Sequence, residues 1–355
     1  MSMLQQIPAY VQLPAAMLIA VLVSIYAVRK LIFITRTRRL YDVPDNVRKI
    51  HGAQIPSLGG IGIFVGYLIS GAFFFTASWY VVIAASVLLF FTGIYDDIMN
   101  MRPLKKLIAQ ALAATVVAVV LYPQFSISSL YGLMGLTSLP APVAIFITAF
   151  CCTLFINMFN FMDGIDGLAC TLAILYTGIL GLLFYWSGHT AFAGISFSLA
   201  AATAGLLWFN RPPARIYMGD TGSMFLGFTI FVLAVACIGE AGSFFSGRGI
   251  PQSQLLMQIV SLLSVPVFDA LRVFAIRMSR GISPLRADRL HLHYYLLDAG
   301  LSHAAAVGVI TATNILVFAG TWQLRTVGPL VQLAFITALI AAVALWASRS
   351  RRRQA

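Results

Sequence analysis

Charge is scarce in this 355-residue chain. Only 10% of positions are Asp, Glu, Lys or Arg, against roughly 25% in a soluble domain, and that argues against an ordinary water-soluble globule. Glutamate occurs once, at Glu240, so acidic chemistry rests on aspartates. Cysteine is sparse too. Cys151, Cys152, Cys170 and Cys237 form no CxxC pair and lie in or beside apolar runs, so they read as small packing residues. No basic stretch precedes the first apolar run and no small-residue cleavage site follows it, so it reads as a retained helix. With no soluble domain, low-complexity segment or convincing repeat in view, residues 1–355 read as a single integral membrane domain.

Apolar sequence is what the chain has in quantity. Hydrophobic residues make up 60% of it. The apolar runs approach the ~20 residues needed to cross a bilayer. Hydropathy gives about eleven spans: Tyr10–Val28, Gly59–Phe75, Ser78–Ile94, Leu107–Leu121, Val143–Ile156, Leu168–Trp186, Ala191–Phe209, Met224–Ile238, Leu255–Ile276, Ala304–Trp322 and Leu330–Trp346. Without barrel-like alternation these should be helices, which predicts an all-α polytopic membrane protein. The net charge of +12 does not imply nucleic acid, because its distribution follows the positive-inside rule. Every Lys and Arg except Arg248 and Arg325 falls on one face, so the N-terminus is expected outside and the C-terminus in the cytoplasm. That basic face suits anionic lipid headgroups and a phosphate-bearing substrate.

Ten aspartates complete the acidic set: Asp42, Asp45, Asp96, Asp97, Asp163, Asp166, Asp220, Asp269, Asp288 and Asp298. In the expected topology all lie on or near the inward face, with Glu240 alone outside. Transporters keep polar groups near the bilayer midplane. A one-sided set points instead to a site at the cytoplasmic interface, open to a soluble reactant and a lipid.

Several motifs sharpen this. Asn157, Asn160, Asp163 and Asp166 recur every third residue, a spacing that would stack hard oxygen donors on one helical face, as Mg²⁺ prefers; polar capping of a helix end is the bland alternative. Asp96 and Asp97 are adjacent carboxylates with Arg102, Lys105 and Lys106 downstream, suited to a metal–diphosphate site or simply to solvation. Asp220 sits in a Gly-Asp-x-Gly-Ser turn, where a carboxylate and backbone N–H groups at a helix start favour phosphate or act as a cap. Arg286, Arg289, His291 and His293 lack a zinc pattern and suit a diphosphate. Asp269, inside the ninth span, is functional by default, or the partner of Arg272. His189 and His303 carry no argument.

Together these stretches resemble the polyprenyl-phosphate N-acetylhexosamine-1-phosphate transferases of bacterial membranes. The resemblance rests on the loop from Asp42 through Arg48, Lys49, His51 and Pro56 to Gly60, on Asp96-Asp97 with Lys106, on Asn157 to Gly167, on Gly219 to Ser223, and on His291-x-His293. It implies eleven spans and a reaction in which a UDP-N-acetylhexosamine gives its sugar-1-phosphate to undecaprenyl phosphate and UMP leaves. It implies Mg²⁺ or Mn²⁺ held by Asn160 and Asp220. Asp96 and Asp97 would orient or deprotonate the lipid phosphate, and Asp163 and Asp166 would shape the nucleotide and diphosphate site. His291 with Arg289 would hold phosphates, with Lys49, Lys106, Asn157 and His293 as further substrate contacts. The chain lacks the triple His of the muramoyl-pentapeptide branch and the Ala-Gly-x-Asn-Gly of the dolichol branch. It therefore groups with enzymes that start O-antigen, teichoic acid or capsule glycans, although Tyr294 stands where many members have a further His. Membrane lipids and a second copy of the chain are further expected partners, and the bacterial inner membrane the expected location. A lipid or nucleotide-sugar flippase and a non-catalytic scaffold are the rival classes.

Overall fold

The structure is a computed structural model that describes residues 8–38, 55–132, 135–283 and 288–354. Among these residues it is helical throughout: α1 Ala9–Arg38, α2 Gly60–Gly71, α3 Ala77–Met99, α4 Pro103–Val120, α5 Ala141–Asn160, α6 Leu168–Trp186, α7 Thr190–Asn210, α8 Gly219–Glu240, α9 Gly242–Ser246, α10 Gln252–Leu262, α11 Ser264–Ser279, α12 Leu292–Asp298, α13 His303–Gln323 and α14 Pro329–Gln354. Among the described residues nine helices are long and apolar enough to cross a membrane: α1, α3 to α8, α13 and α14.

The other two expected spans differ in form. The run from Gly59 to Phe75 yields only the 12-residue α2. At 1.5 Å per residue this is about 18 Å, short of a ~30 Å hydrocarbon layer. The run from Leu255 to Ile276 is broken at Leu263 into α10 and α11, which bend by 63°. Hydropathy reads the length of an apolar run and cannot see a bend within it.

α8 is the hub of the packing. Every residue from Thr221 to Ile238 is buried, and α2, α3, α5, α6 and α10 all pack against it. Phe64 of α2 stacks on Phe90 of α3 at 4.0 Å and meets Phe225 of α8 edge-on at 5.0 Å. Small residues let the backbones close further. A Cβ on Gly60 would run into the backbone of Gly222, so α2 crosses the start of α8 at a distance only glycine permits. Several hydroxyls inside the apolar helices are satisfied locally; Ser70, Ser86, Thr148 and Thr229 each donate to the carbonyl four residues back.

The chain alternates direction, so helix ends sort onto two faces. One gathers the α3–α4, α5–α6 and α7–α8 connections. On the other, Glu240 accepts a hydrogen bond from Gln124 at 2.8 Å and lies 3.6 Å from His189. The lone glutamate therefore sits at the opposite end of α8 from Asp220.

If the α2–α8 crossing holds the fold, Gly60→Ala should lower thermal stability in detergent by about 1–3 kcal/mol through overpacking. Gly178→Ala, where nothing lies within 4 Å of an added Cβ, should leave it unchanged or slightly raised. Equal melting temperatures for the two variants would contradict the crossing.

Candidate active site

A helix begins with four backbone N–H groups that have no partner within it. At α8 three of these find carboxylates from distant parts of the chain. Asp97, in the last turn of α3, accepts from the N–H of Asp220 at 2.8 Å, the N–H of Thr221 at 3.0 Å and the Thr221 hydroxyl at 2.6 Å. Asp163, in the turn after α5, accepts from the N–H of Gly219 at 3.1 Å. Negative charge at a helix N-terminus also complements the helix dipole. This corrects the expectation that these N–H groups are open to a phosphate, since Asp97 and Asp163 already occupy them. Gly219 makes the geometry with φ +72°, a conformation its neighbours could not share cheaply.

Asp96 turns the other way. Its carboxylate accepts from the Met101 N–H at 2.6 Å and from Lys106 Nζ at 3.1 Å. The same ammonium lies 2.8 Å from Asp220. Asp220 in turn accepts from the amide of Asn160, which also reaches the Ser223 hydroxyl at 2.6 Å. Adjacent in sequence, Asp96 and Asp97 thus do different things. Asp97 holds α8, and Asp96 shares a cation with Asp220.

These donors suit a hard cation completed by ligand oxygens. Mg²⁺ commonly takes one or two protein carboxylates and fills its remaining positions with water and substrate phosphate. Among the described residues no group of three or more His, Cys, Asp or Glu forms a self-sufficient metal cage. Asp96 and Asp220 already converge on one positive group, Lys106. Asn160 presents its N–H to Asp220, so it would serve as an oxygen ligand only with its amide turned over.

The segment from Asn157 to Asp166 does not stack on one helical face. α5 ends at Asn160, and residues 161–167 form turns. Asn157 donates to Gln110 of α4 at 2.6 Å. Asp166 accepts from the Ala214 N–H at 3.1 Å, and His303 lies 3.5 Å from its carboxylate. Asn210 accepts from the Gly167 N–H at 3.0 Å and donates to the Ile216 carbonyl at 2.9 Å, tying the α5–α6 turn to the α7–α8 loop.

The histidine segment reaches the same turn from the other side. His293 is buried and packs on Gly164, and its two ring nitrogens have no hydrogen-bond partner. His291 directs Nδ1 to Asp269 at 2.9 Å, which leaves Nε2 uncommitted. Asp269, 1% exposed, also accepts from Arg272 at 2.7 Å and from the Leu292 N–H at 3.0 Å. Both readings of Asp269 meet here: it pairs with Arg272 and it orients His291. Arg289 is tied to Asp298 at 3.0 Å, so its charge is already partly answered. Lys49, along with Asp42, Asp45, Arg48, His51 and Arg286, lies outside the described residues.

The model of glycosyl transferase family 4 matches residues 79–238. A probable undecaprenyl-phosphate N-acetylglucosaminyl 1-phosphate transferase of Bacillus subtilis is 32% identical over 277 residues, which cover 76% of this chain and 73% of that protein. The chain belongs to the polyprenyl-phosphate N-acetylhexosamine-1-phosphate transferase family. Undecaprenyl-phosphate alpha-N-acetylglucosaminyl 1-phosphate transferases of Escherichia coli K12 and Yersinia pestis are 28% and 30% identical, each over 77% of this chain and 73% of the relative.

The matched stretch of this family member holds Asp96, Asp97, Lys106, Asn157, Asn160, Asp163, Asp166 and Asp220, while Arg289, His291 and His293 lie beyond it. Sequence reasoning passed over Gln110, Asn210, Ser223 and His303. Thr221 was weighed only as a helix cap, and Ser223 stood inside the same motif without a role of its own. Asn210 carried the same signal as Asn160, an amide closing an apolar run. His303 carried no signal.

Titration follows from burial. Burial, followed by the charge of Asp220, holds the Asp163 carboxyl well above the usual range. Asp288 stays below it: burial opposes the shift, but hydrogen bonds from Arg277 and the Leu290 N–H outweigh that. Burial pushes His293 down to about 3, against roughly 6.5 in an unfolded chain.

Two measurements test these assignments. Asp97→Ala, which strands buried donors, should cost on the order of 3 kcal/mol, and Asp97→Asn, which keeps one acceptor, clearly less. Equal unfolding midpoints for the two would refute the capping role. For His293 the native pKa is depressed, so its contribution is present above about pH 6.5 and is lost as pH falls below that value. The parent should therefore lose melting temperature between pH 7 and pH 5, and His293→Gln should lose less. The same loss in both would contradict a neutral, buried imidazole.

Proposed function

We propose that the chain transfers N-acetylhexosamine-1-phosphate from a UDP-sugar to undecaprenyl phosphate at the inner face of a bacterial inner membrane, as the first membrane step of a surface glycan. The observation that carries this reading is the Lys106 ammonium shared by Asp96 and Asp220 at the start of α8. The positive-inside distribution supports an outside N-terminus and a cytoplasmic C-terminus. Among the described residues nine helices, or ten with the bent α10–α11 pair taken as one span, are long and apolar enough to cross a membrane; the eleven-span reading adds the short α2. The relatives named above are transferases, and the flippase alternative finds no support.

An oxygen of the acceptor phosphate attacks the phosphorus that bears the sugar. The bridging oxygen leaves with the other phosphorus as UMP. One phosphoanhydride is exchanged for another, so the step is nearly thermoneutral, and its main barrier is repulsion between like charges. The acceptor monoester, with a second pKa near 6, is mostly the dianion at neutral pH, so a strong base is not required. Mg²⁺ (or Mn²⁺), when held by Asp220 and Asp96 with substrate oxygens, supplies charge neutralisation on the diphosphate. Lys106 places a fixed positive charge beside those carboxylates. Asn160 and Ser223 fix the orientation of Asp220. Asp97 and Asp163 keep the start of α8 in place and so position Asp220. His291, oriented by Asp269, offers Nε2 to a phosphate oxygen. We favour single displacement by the lipid phosphate over an aspartyl intermediate.

The test is UMP release from a panel of UDP-N-acetylhexosamines by the purified chain with undecaprenyl phosphate. Release should need the divalent cation and fall by about 10²-fold or more in Asp220→Asn. Without acceptor, no phosphosugar should remain on the protein. No cation-dependent release with any sugar would reject the proposal.

A further inference from the structure

Ile25, Arg29, Ile32 and Arg36 form one stripe of α1, spaced by four, three and four residues. With Trp208 at the end of α7 and Arg215 in the α7–α8 loop, they wall a cavity of about 490 Å³. A second hollow of similar size continues along α1 past Arg29 and Arg36. Among the described residues none of the three guanidinium groups meets a carboxylate. Four other arginines on this face do: Arg272 on Asp269, Arg277 on Asp288, and Arg289 and Arg351 on Asp298. Among the described residues the groove thus combines an apolar wall with positive charge that no carboxylate meets.

Its depth fits the edge of a bilayer. The uninterrupted apolar run of α1 ends at Val28. Arg29 is the next residue, and Arg36 lies about 10 Å further along the axis, within reach of the headgroup layer. Trp208 is 56% exposed, the placement of an interfacial anchor. The groove is also separate from the carboxylate cluster. α2 lies between α1 and α8, with Gly62 and Gly66 against α1 and Gly60 against Gly222.

We propose that this groove binds the phosphate of an anionic membrane phospholipid, with its acyl chains along Ile25, Ile32 and Trp208, and that this lipid is not consumed. A soluble anion would have no use for the apolar wall. The acceptor lipid would bring its phosphate to the far side of α2 from Lys106. Bound lipid would also brace the loop that carries Arg215, whose neighbour Ala214 donates to Asp166. The proposal stands without the transferase reading, because its test is binding.

The experiment is native mass spectrometry of the full chain in detergent, titrated with phosphatidylglycerol or phosphatidylcholine of the same acyl chains. The parent should prefer phosphatidylglycerol by tenfold or more, since each headgroup-facing arginine contributes about fivefold. The Arg29→Gln, Arg36→Gln, Arg215→Gln triple variant should abolish the preference. The corresponding Lys triple variant should keep most of it and report on folding. Arg248→Gln, on the opposite face, should keep all of it. Equal binding of the two lipids by the parent, or an unchanged preference in the Gln triple variant, overturns the proposal. Displacement by inorganic phosphate would make this a free-anion site, and one-for-one displacement by undecaprenyl phosphate an acceptor site; either result also overturns it.

Discussion

The interaction on which the rest depends is the capture of the α8 N-terminus by Asp97 and Asp163. α8 runs through the middle of the protein, buried from Thr221 to Ile238. Its opening N–H groups must find acceptors in the protein or remain unsatisfied in a low-dielectric interior. Carboxylates answer this need strongly, because a charged acceptor forms a shorter and firmer hydrogen bond than a neutral one. They come from α3 and from the α5–α6 turn, so a single capping requirement draws three distant stretches of sequence to one point. Asp220 inherits its position from that arrangement.

The same arrangement creates an imbalance of charge. Asp96, Asp97, Asp163 and Asp220 crowd around the start of α8, and Lys106 is the cation that bridges two of them. Like charges at such range are stable only with added positive charge, with protons, or with both. Burial and then the charge of Asp220 raise the Asp163 pKa. Asp96 and Asp220 show the cation route. That imbalance is the electrostatic ground for the divalent ion proposed above.

Much of this was legible in the sequence, and the gaps have physical causes. The polytopic helical class followed from 60% hydrophobic residues, and the one-sided aspartates followed from the order of apolar runs. The second and ninth expected spans departed in form, because apolar length carries no record of a helix that stops early or bends at Leu263. The every-third-residue spacing from Asn157 to Asp166 suggested one helical face, yet α5 ends at Asn160 and each residue finds a different partner. Asp96 and Asp97 looked like a unit because they are neighbours. Their tasks diverge through Lys106, close in sequence, and Thr221, which is 124 residues away. The link from Asp269 to His291 was hidden for a related reason: a nearer arginine offered a sufficient explanation.

The contact of Glu240 with Gln124 and His189, at the far end of α8, gives that helix a second mooring. A rod fixed at both ends cannot slide along its axis without breaking both attachments at once. The neighbouring elements, among them the bent α10–α11 pair whose α11 half carries Asp269, are placed relative to that fixed rod. In this molecule α8 is the datum from which the other parts take their positions.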